Sequence, residues 1–391
     1  MTESSAGPVL SVAETQAAEA LLTDAWGERT EVRAAELIWD RRHVVRLRLG
    51  DDRSAVLKRG GDQDHGRRAR AFGVELAVLE YLSAMPVPVA PRLLGADTQA
   101  GIVLMEDLGP GASLADSLLT GERERAQADL VAYALALGSL HVWSMGRTDE
   151  LADLQARHAP GAEASPGWVS AIERGKGPFL AVAAELGLAV GGVESEIDEL
   201  SAILSGAGYL GLVHGDACPD NVRLLDGTCR IFDFETASVG PVVLDAAYLL
   251  APFPSCWCFA NLPGEVATPA ITAYRGCLEA AGIELGPDWD IATAAALAGW
   301  IVAWGRGFAR VLKEDREWGT TTMRPRLLAW LRSFIDQASG IGALPRLQVL
   351  AGALHDQLSL RWPGLAVPDY PAFAEPGSAL ARRPDWWHPG L

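Results

Sequence analysis

Apolar residues recur at helical spacing over residues 12–26, then give way to three β-like runs at 33–38, 43–49 and 54–58. The turn Gly50-Asp51-Asp52 separates the last two runs and favours a hairpin. Residues 67–84 return to a helical pattern, with Leu76, Leu79, Tyr81 and Leu82 on one apolar side. Three prolines in 85–91 preclude helix there, and two further strands are expected at 92–96 and 101–105. Beyond Gly109-Pro110-Gly111 the pattern turns helical, at 122–145, 193–205, 268–282, 290–312 and 325–338. Residues 147–177, rich in Gly, Pro and charge, read as a mobile insertion or a loosely packed pair of short helices. From 361 onward Pro and Trp without helical period predict a tail wrapped on the helical part. Strands gathered in the first quarter and helices after them make an α+β chain.

Two stretches interrupt the helical half. Val213-His214-Gly215-Asp216-Ala217-Cys218-Pro219-Asp220-Asn221 and Ile231-Phe232-Asp233-Phe234-Glu235 each read as a short apolar strand ending in a polar turn with a carboxylate. If the two strands pair, Asp216, Asn221 and Asp233 converge on one point. That set suits phosphoryl transfer. One carboxylate takes the proton of an attacking hydroxyl, while an amide oxygen and a second carboxylate hold magnesium, a hard cation that prefers oxygen ligands.

Charge narrows the partners. Fifty acidic against 33 basic residues give a net charge of −17, which argues against nucleic-acid binding and suits a cationic substrate. No apolar run is long enough to span a bilayer, and residues 1–8 lack a signal-peptide pattern, so a cytoplasmic protein without membrane partners is expected. The five cysteines, an odd number bunched in one third of the chain, are expected to be reduced and mostly buried.

The pattern His-Gly-Asp-x-x-x-x-Asn followed by an apolar-Asp-Phe-Glu turn resembles the aminoglycoside phosphotransferase and choline kinase group. These are small-molecule kinases with a fold related to that of protein kinases. His214, Asp216, Pro219, Asn221, Asp233 and Phe234 carry the match. Gly215 and Glu235 stand where protein kinases have Arg and Gly, and no Ala-Pro-Glu segment follows. The resemblance implies a bilobal, protein kinase-like fold. A small β-rich nucleotide-binding lobe would span 1–107, and a larger, mainly helical catalytic and acceptor-binding lobe 108–391.

The same resemblance assigns roles. Asp216 would be the catalytic base, Asn221 and Asp233 the magnesium ligands, and Lys58 the contact to the phosphates of ATP or GTP. Glu75 would pair with Lys58, with Glu80 as its rival, and main-chain groups of Glu106 and Leu108 would hold the adenine. His214 and Asp245 would brace the loop, His141 would be a packed core histidine, and Glu235 would assist metal or substrate. The loop 39–43 contains no glycine, which leaves the phosphate-covering residues open, Arg41 and Arg42 among them. The implied activity is transfer of the γ-phosphoryl group to a hydroxyl of a small molecule, with an aminoglycoside-like acceptor favoured. Amino-alcohols, sugars, nucleosides and natural products are the alternatives, and a catalytically inactive nucleotide-binding scaffold is the rival of another class.

Overall fold

Alternation along two strands fixes which face of the sheet becomes a core and which a cleft. In β2 (Val44–Leu49) the side chains of Val45, Leu47 and Leu49 are buried, as are Ala55 and Leu57 of β3 (Ser54–Arg59). Successive strand residues point to opposite faces, so Val44, Arg46, Val56 and Lys58 lie on the other side. The computed structural model describes residues 9–38, 43–50, 52–60, 66–161, 167–251, 253–375, 380–381 and 384. The sheet is antiparallel, in the order β1 (Val32–Leu37), β2, β3, β5 (Ile102–Glu106), β4 (Leu93–Asp97). Its closed face packs Val45, Leu47, Leu57, Ile102 and Leu104 against Ala18 and Leu22 of α1 (Val12–Trp26), forming a small core of its own. Each leucine buried there is worth roughly 1.5–3 kcal/mol. Ser11 starts α1 through a capping box with Glu14.

Helix α2 (Gly66–Leu82) joins the sheet to the helical part through α5 (Thr148–His158). At Gly73 the two run so close that an added Cβ would lie 2.1 Å from the His158 carbonyl oxygen. The larger part is helical: α3 (Leu114–Thr120), α4 (Arg123–Ser144), α6 (Gly167–Glu185), α7 (Val193–Gly206), α8 (Val243–Leu250), α9 (Gly264–Ala280) and α10 (Pro287–Ala303). Helices α11 (Gly305–Lys313), α12 (Met323–Ala338) and α13 (Pro345–Arg361) follow.

Several expectations are corrected here. Of the two arrangements expected over 147–177, the described residues form the pair of helices, α5 and the start of α6, but packed firmly on the large core rather than loosely. Of the glycines that suggested breaks, Gly175 marks a close helix crossing, where a Cβ would lie 2.0 Å from the Val302 carbonyl oxygen, while Gly177 has open space around it. The single helix expected over 290–312 is two, α10 and α11, bent by 52°. Helix α13 was not anticipated, although Leu347, Leu350, Ala351, Leu354 and Leu358 bury one side of it. The described stretch 362–375 of the tail packs on the helical part, burying Tyr370 and Phe373. Among the described residues no single helix is long and apolar enough to cross a membrane.

The strands that end in the two motif turns do not pair with each other. Instead β6 (Leu210–Val213) pairs with β9 (Ser238–Pro241), and β7 (Val222–Leu225) with β8 (Thr228–Ile231), both antiparallel. The turns meet through other bonds. Phe232 N–H donates to Asn221 O at 3.0 Å, and Thr236 Oγ1 donates to His214 O at 3.0 Å.

A candidate active site between the sheet and the helical part

The loop after β6 is built around a buried carboxylate. Asp245, on the first turn of α8, accepts from the N–H groups of His214 at 2.6 Å and Gly215 at 3.0 Å. Its Oδ2 also lies 3.3 Å from His141 Nε2, and the His141 Nδ1 bonds Tyr274 Oη at 2.8 Å. His141 is thus a satisfied core residue. His214 Nδ1 accepts from Asp216 N–H at 3.2 Å, so its Nε2 carries the proton given to Phe232 O at 3.0 Å. Burial holds the His214 imidazole below its usual pKa, in line with a neutral ring that ties one turn to the other. Gly215 adopts φ 77°, and a Cβ there would sit 3.0 Å from Thr236 O, so the loop requires glycine at this point.

These bonds place Asp216 beside Asn221, which lines the cleft. Asn221 Nδ2 donates to Asp216 O at 2.9 Å and approaches Asp216 Oδ2 at 3.4 Å, which aims the Asn221 side-chain oxygen away from that carboxylate. Burial, then the carboxylates of Asp220 and Asp233, push Asp216 up to about 7 against the pull of Asn221.

Lys58 crosses from the sheet to meet this loop. Its Nζ pairs with Glu75, lies 2.5 Å from Asp233 Oδ1, and lies 3.7 Å from Glu235 Oε2. Burial opposes the ammonium charge, but Glu75 and Asp233 outweigh it and hold Lys58 above its usual range. Desolvation pushes Glu75 up to about 7, with Lys58 pulling the other way. Glu80 faces elsewhere, bonding His158 Nε2 at 2.8 Å. Asp233 holds φ 67°, a left-handed conformation uncommon for a residue with a side chain.

The cleft under the sheet holds about 1110 Å³ of open space and is lined by Val56, Lys58, Met105, Glu106, Leu108, Asn221 and Asp233, among others. Glu106 N–H donates to Arg92 O at 2.8 Å. Two lining residues escaped the sequence reading. Arg46 Nε donates to Asp107 Oδ2 at 2.8 Å, bracing the segment next to Glu106 and Leu108. Burial would raise Asp107, but bonds from Ser54, the Gly109 N–H and Arg46 keep it below the usual carboxylate range. Strand alternation was the available signal, since Arg46 shares a face with Lys58. Arg41 and Arg42 lie outside the described residues.

The far side of Asp216 carries a second correction. Cys218 and Cys256 are joined by a disulfide, with Cα atoms 5.7 Å apart across 38 residues, while Cys229, Cys258 and Cys277 are thiols. Their linear distribution gave no hint of this, because only the return of the chain after α8 brings Cys256 beneath the loop. Beside the bridge, Trp257 Nε1 donates to Asp220 Oδ2 at 2.8 Å. The buried Arg326 of α12 fixes this segment by donating to the carbonyls of Cys256 at 2.5 Å, Trp257 at 3.2 Å and Trp318 at 2.7 Å. Near the same segment, Asp315 accepts the Arg324 N–H at 3.0 Å.

The family described as "Phosphotransferase enzyme family" matches residues 32–283. No curated protein sequence matches the chain. Among solved structures, a protein from Ralstonia eutropha JMP134 provisionally assigned as an aminoglycoside phosphotransferase is 17% identical, with a TM-score of 0.51 over 87% of this chain and 98% of that one. A choline/ethanolamine kinase family protein from Mesorhizobium loti is 15% identical, with a TM-score of 0.42 over 86% and 98%. A macrolide 2'-phosphotransferase from Brachybacterium faecium is 16% identical, with a TM-score of 0.45 over 80% and 98%. The first of these shares the bilobal, protein kinase-like fold. A match across well over half of the chain, spanning every residue from Lys58 to Asp245, places the protein in the phosphotransferase enzyme family.

Proposed function

We propose that the protein is a magnesium-dependent kinase that moves the γ-phosphoryl group of ATP or GTP to a hydroxyl of a polycationic, aminoglycoside-like molecule. One observation carries the reading: Lys58, Asn221 and Asp233 line a single cleft, and Asn221 reaches from it to Asp216. The net charge of −17 supports a cationic acceptor over neutral sugars or nucleosides. In this reading residues 1–107 bind nucleotide and 108–391 carry the catalytic loop and the acceptor site. The enzyme works in the cytoplasm, where nucleoside triphosphates are supplied.

Main-chain groups of Glu106 and Leu108 hold the purine, and Lys58, directed by Glu75, meets the phosphates. The donor set of Asn221 and Asp233, one amide oxygen and one carboxylate, fits magnesium, a hard cation, and would hold it. Bound there, it neutralises charge on the transferring phosphates. Asp216 orients the acceptor hydroxyl and takes its proton. In a loose, largely dissociative transition state that positioning matters more than strong basicity.

The test is a mass-spectrometric screen. Wild type and Asp216→Ala are incubated with Mg-ATP or Mg-GTP and a panel of aminoglycosides, amino-alcohols, sugars and nucleosides. A product heavier by one phosphoryl group with wild type alone is expected, among the aminoglycosides first. Turnover confined to another class would replace the acceptor assignment. Magnesium-dependent nucleotide binding without turnover of any class would favour an inactive scaffold.

A further inference from the structure

The disulfide sits against the carboxylate that the proposed function assigns as the base. Cys218 Sγ is 3.0 Å from Asp216 Oδ1, while Oδ2 of the same carboxylate faces Asn221. A bridged sulfur has no hydrogen and cannot donate. A thiol at the same place could, and a carboxylate that already accepts an S–H bond is a poorer partner for an incoming hydroxyl. The bridge also ties the loop to the segment that Arg326 and Thr320 hold from below, Thr320 N–H donating to Trp257 O at 2.8 Å.

We propose that Cys256 is a positioning residue for phosphoryl transfer. By keeping Cys218 oxidised, it denies Asp216 Oδ1 a competing donor and leaves that oxygen for the acceptor hydroxyl. The inference rests on Asp216 being the base. A redox response follows. A dithiol reductant breaks the S–S bond, each sulfur gains one electron and one proton, and the reductant leaves as its own disulfide. The reduced enzyme is then the slower form. Both sulfurs are buried, Cys218 at 4% and Cys256 at 2% exposure, so the reductant reaches them on opening of the loop.

The experiment measures phosphate release from Mg-ATP with water as acceptor, which needs no knowledge of the natural substrate. Cys256→Ala, which leaves a thiol at Cys218, is expected to lower kcat about tenfold with KM for Mg-ATP unchanged, the scale of a lost hydrogen bond to a charged group. Adding Cys218→Ala to Cys256→Ala removes the donor as well as the bridge and is expected to regain most of the rate. In an Asp216→Asn background Cys256→Ala is expected to have no further effect. Infrared spectra should show a hydrogen-bonded S–H band in Cys256→Ala that the double variant lacks. Equal losses in the single and double variants would mean that the bridge merely stabilises the loop, and no loss in either would mean that it is idle; each overturns the inference. Should Cys256→Ala fail to fold, wild type titrated with dithiothreitol takes its place. It must slow as the bridge opens while Cys218→Ala does not, and parallel slowing of both overturns the inference. Absence of phosphate release from oxidised wild type would instead count against the kinase reading itself.

Discussion

Lys58 Nζ lies 2.5 Å from Asp233 Oδ1 across 175 residues of sequence, so one ion pair joins the sheet to the turn after β8. Glu75 completes the cluster from α2. Removing the cation alone leaves carboxylates crowded with little water, the costly way to break a buried pair. Lys58→Met is therefore expected to destabilise the fold by about 3–5 kcal/mol. Adding Glu75→Leu should return part of that, since an apolar replacement no longer strands a charge, while turnover stays lost in both. Thermal melts and turnover assays on the two variants check this.

The pH profile follows from Asp216. Its carboxyl, pushed up to about 7 by burial and then by Asp220 and Asp233, is protonated and unable to accept a proton in acid. The value of kcat/KM should rise with pH through about 7 and then level. Asp220→Asn removes one of the carboxylates that raise it and should move the acid limb to lower pH.

Stability should run the opposite way. A carboxyl whose pKa is raised on folding contributes stability present below its unfolded value, about 4, and lost as pH rises through about 7. In metal-free buffer Asp216→Asn should melt roughly 2–4 °C above wild type at pH 8. The difference should vanish near pH 4, and the variant should lose about 100-fold or more in kcat.

The brace under the loop is tested at Asp245 and Gly215. Asp245→Asn keeps the shape but exchanges a carboxylate that accepts two N–H bonds for an amide. It should cost about 1.5–3 kcal/mol and lower kcat more than it raises KM for nucleotide. Gly215→Ala, forced to φ 77° against Thr236 O, should show the same kinetic signature at a cost of about 1–2 kcal/mol.

Helix α2 is set by its contact with α5. Gly73→Val would place a side chain where the His158 carbonyl lies, pushing α2 and Glu75 away from Lys58. A rise in KM for nucleotide is expected, with a loss of about 1–3 kcal/mol in stability. Glu80→Gln, which removes the charge opposite His158 without crowding the helices, should leave KM within about twofold.

Much of this was legible in the residues. The alternation of Val45, Leu47, Ala55 and Leu57 gives the sheet its core face and so aims Lys58 into the cleft. The spacing of Asp216, Asn221 and Asp233 announced one site, because short polar turns after apolar strands must present their carboxylates to solvent or to a ligand. Helix α13 was legible too, in the spacing of Leu347, Leu350, Leu354 and Leu358, and was overlooked.

Other features were decided only by the tertiary structure. Gly175 looked like a breaker and proved to be a close crossing, since a small residue reads alike in both settings until its neighbour is known. Strand pairing is set by distant partners, which is why β6 turned to β9 rather than to the strand ahead of Asp233. Arg46 found Asp107, Trp257 found Asp220 and Cys218 found Cys256 because the chain returned to the same place after many residues. Local pattern fixes the direction of a side chain relative to its own backbone. What stands at the end of that direction depends on how the elements pack, and no spacing along the chain encodes it.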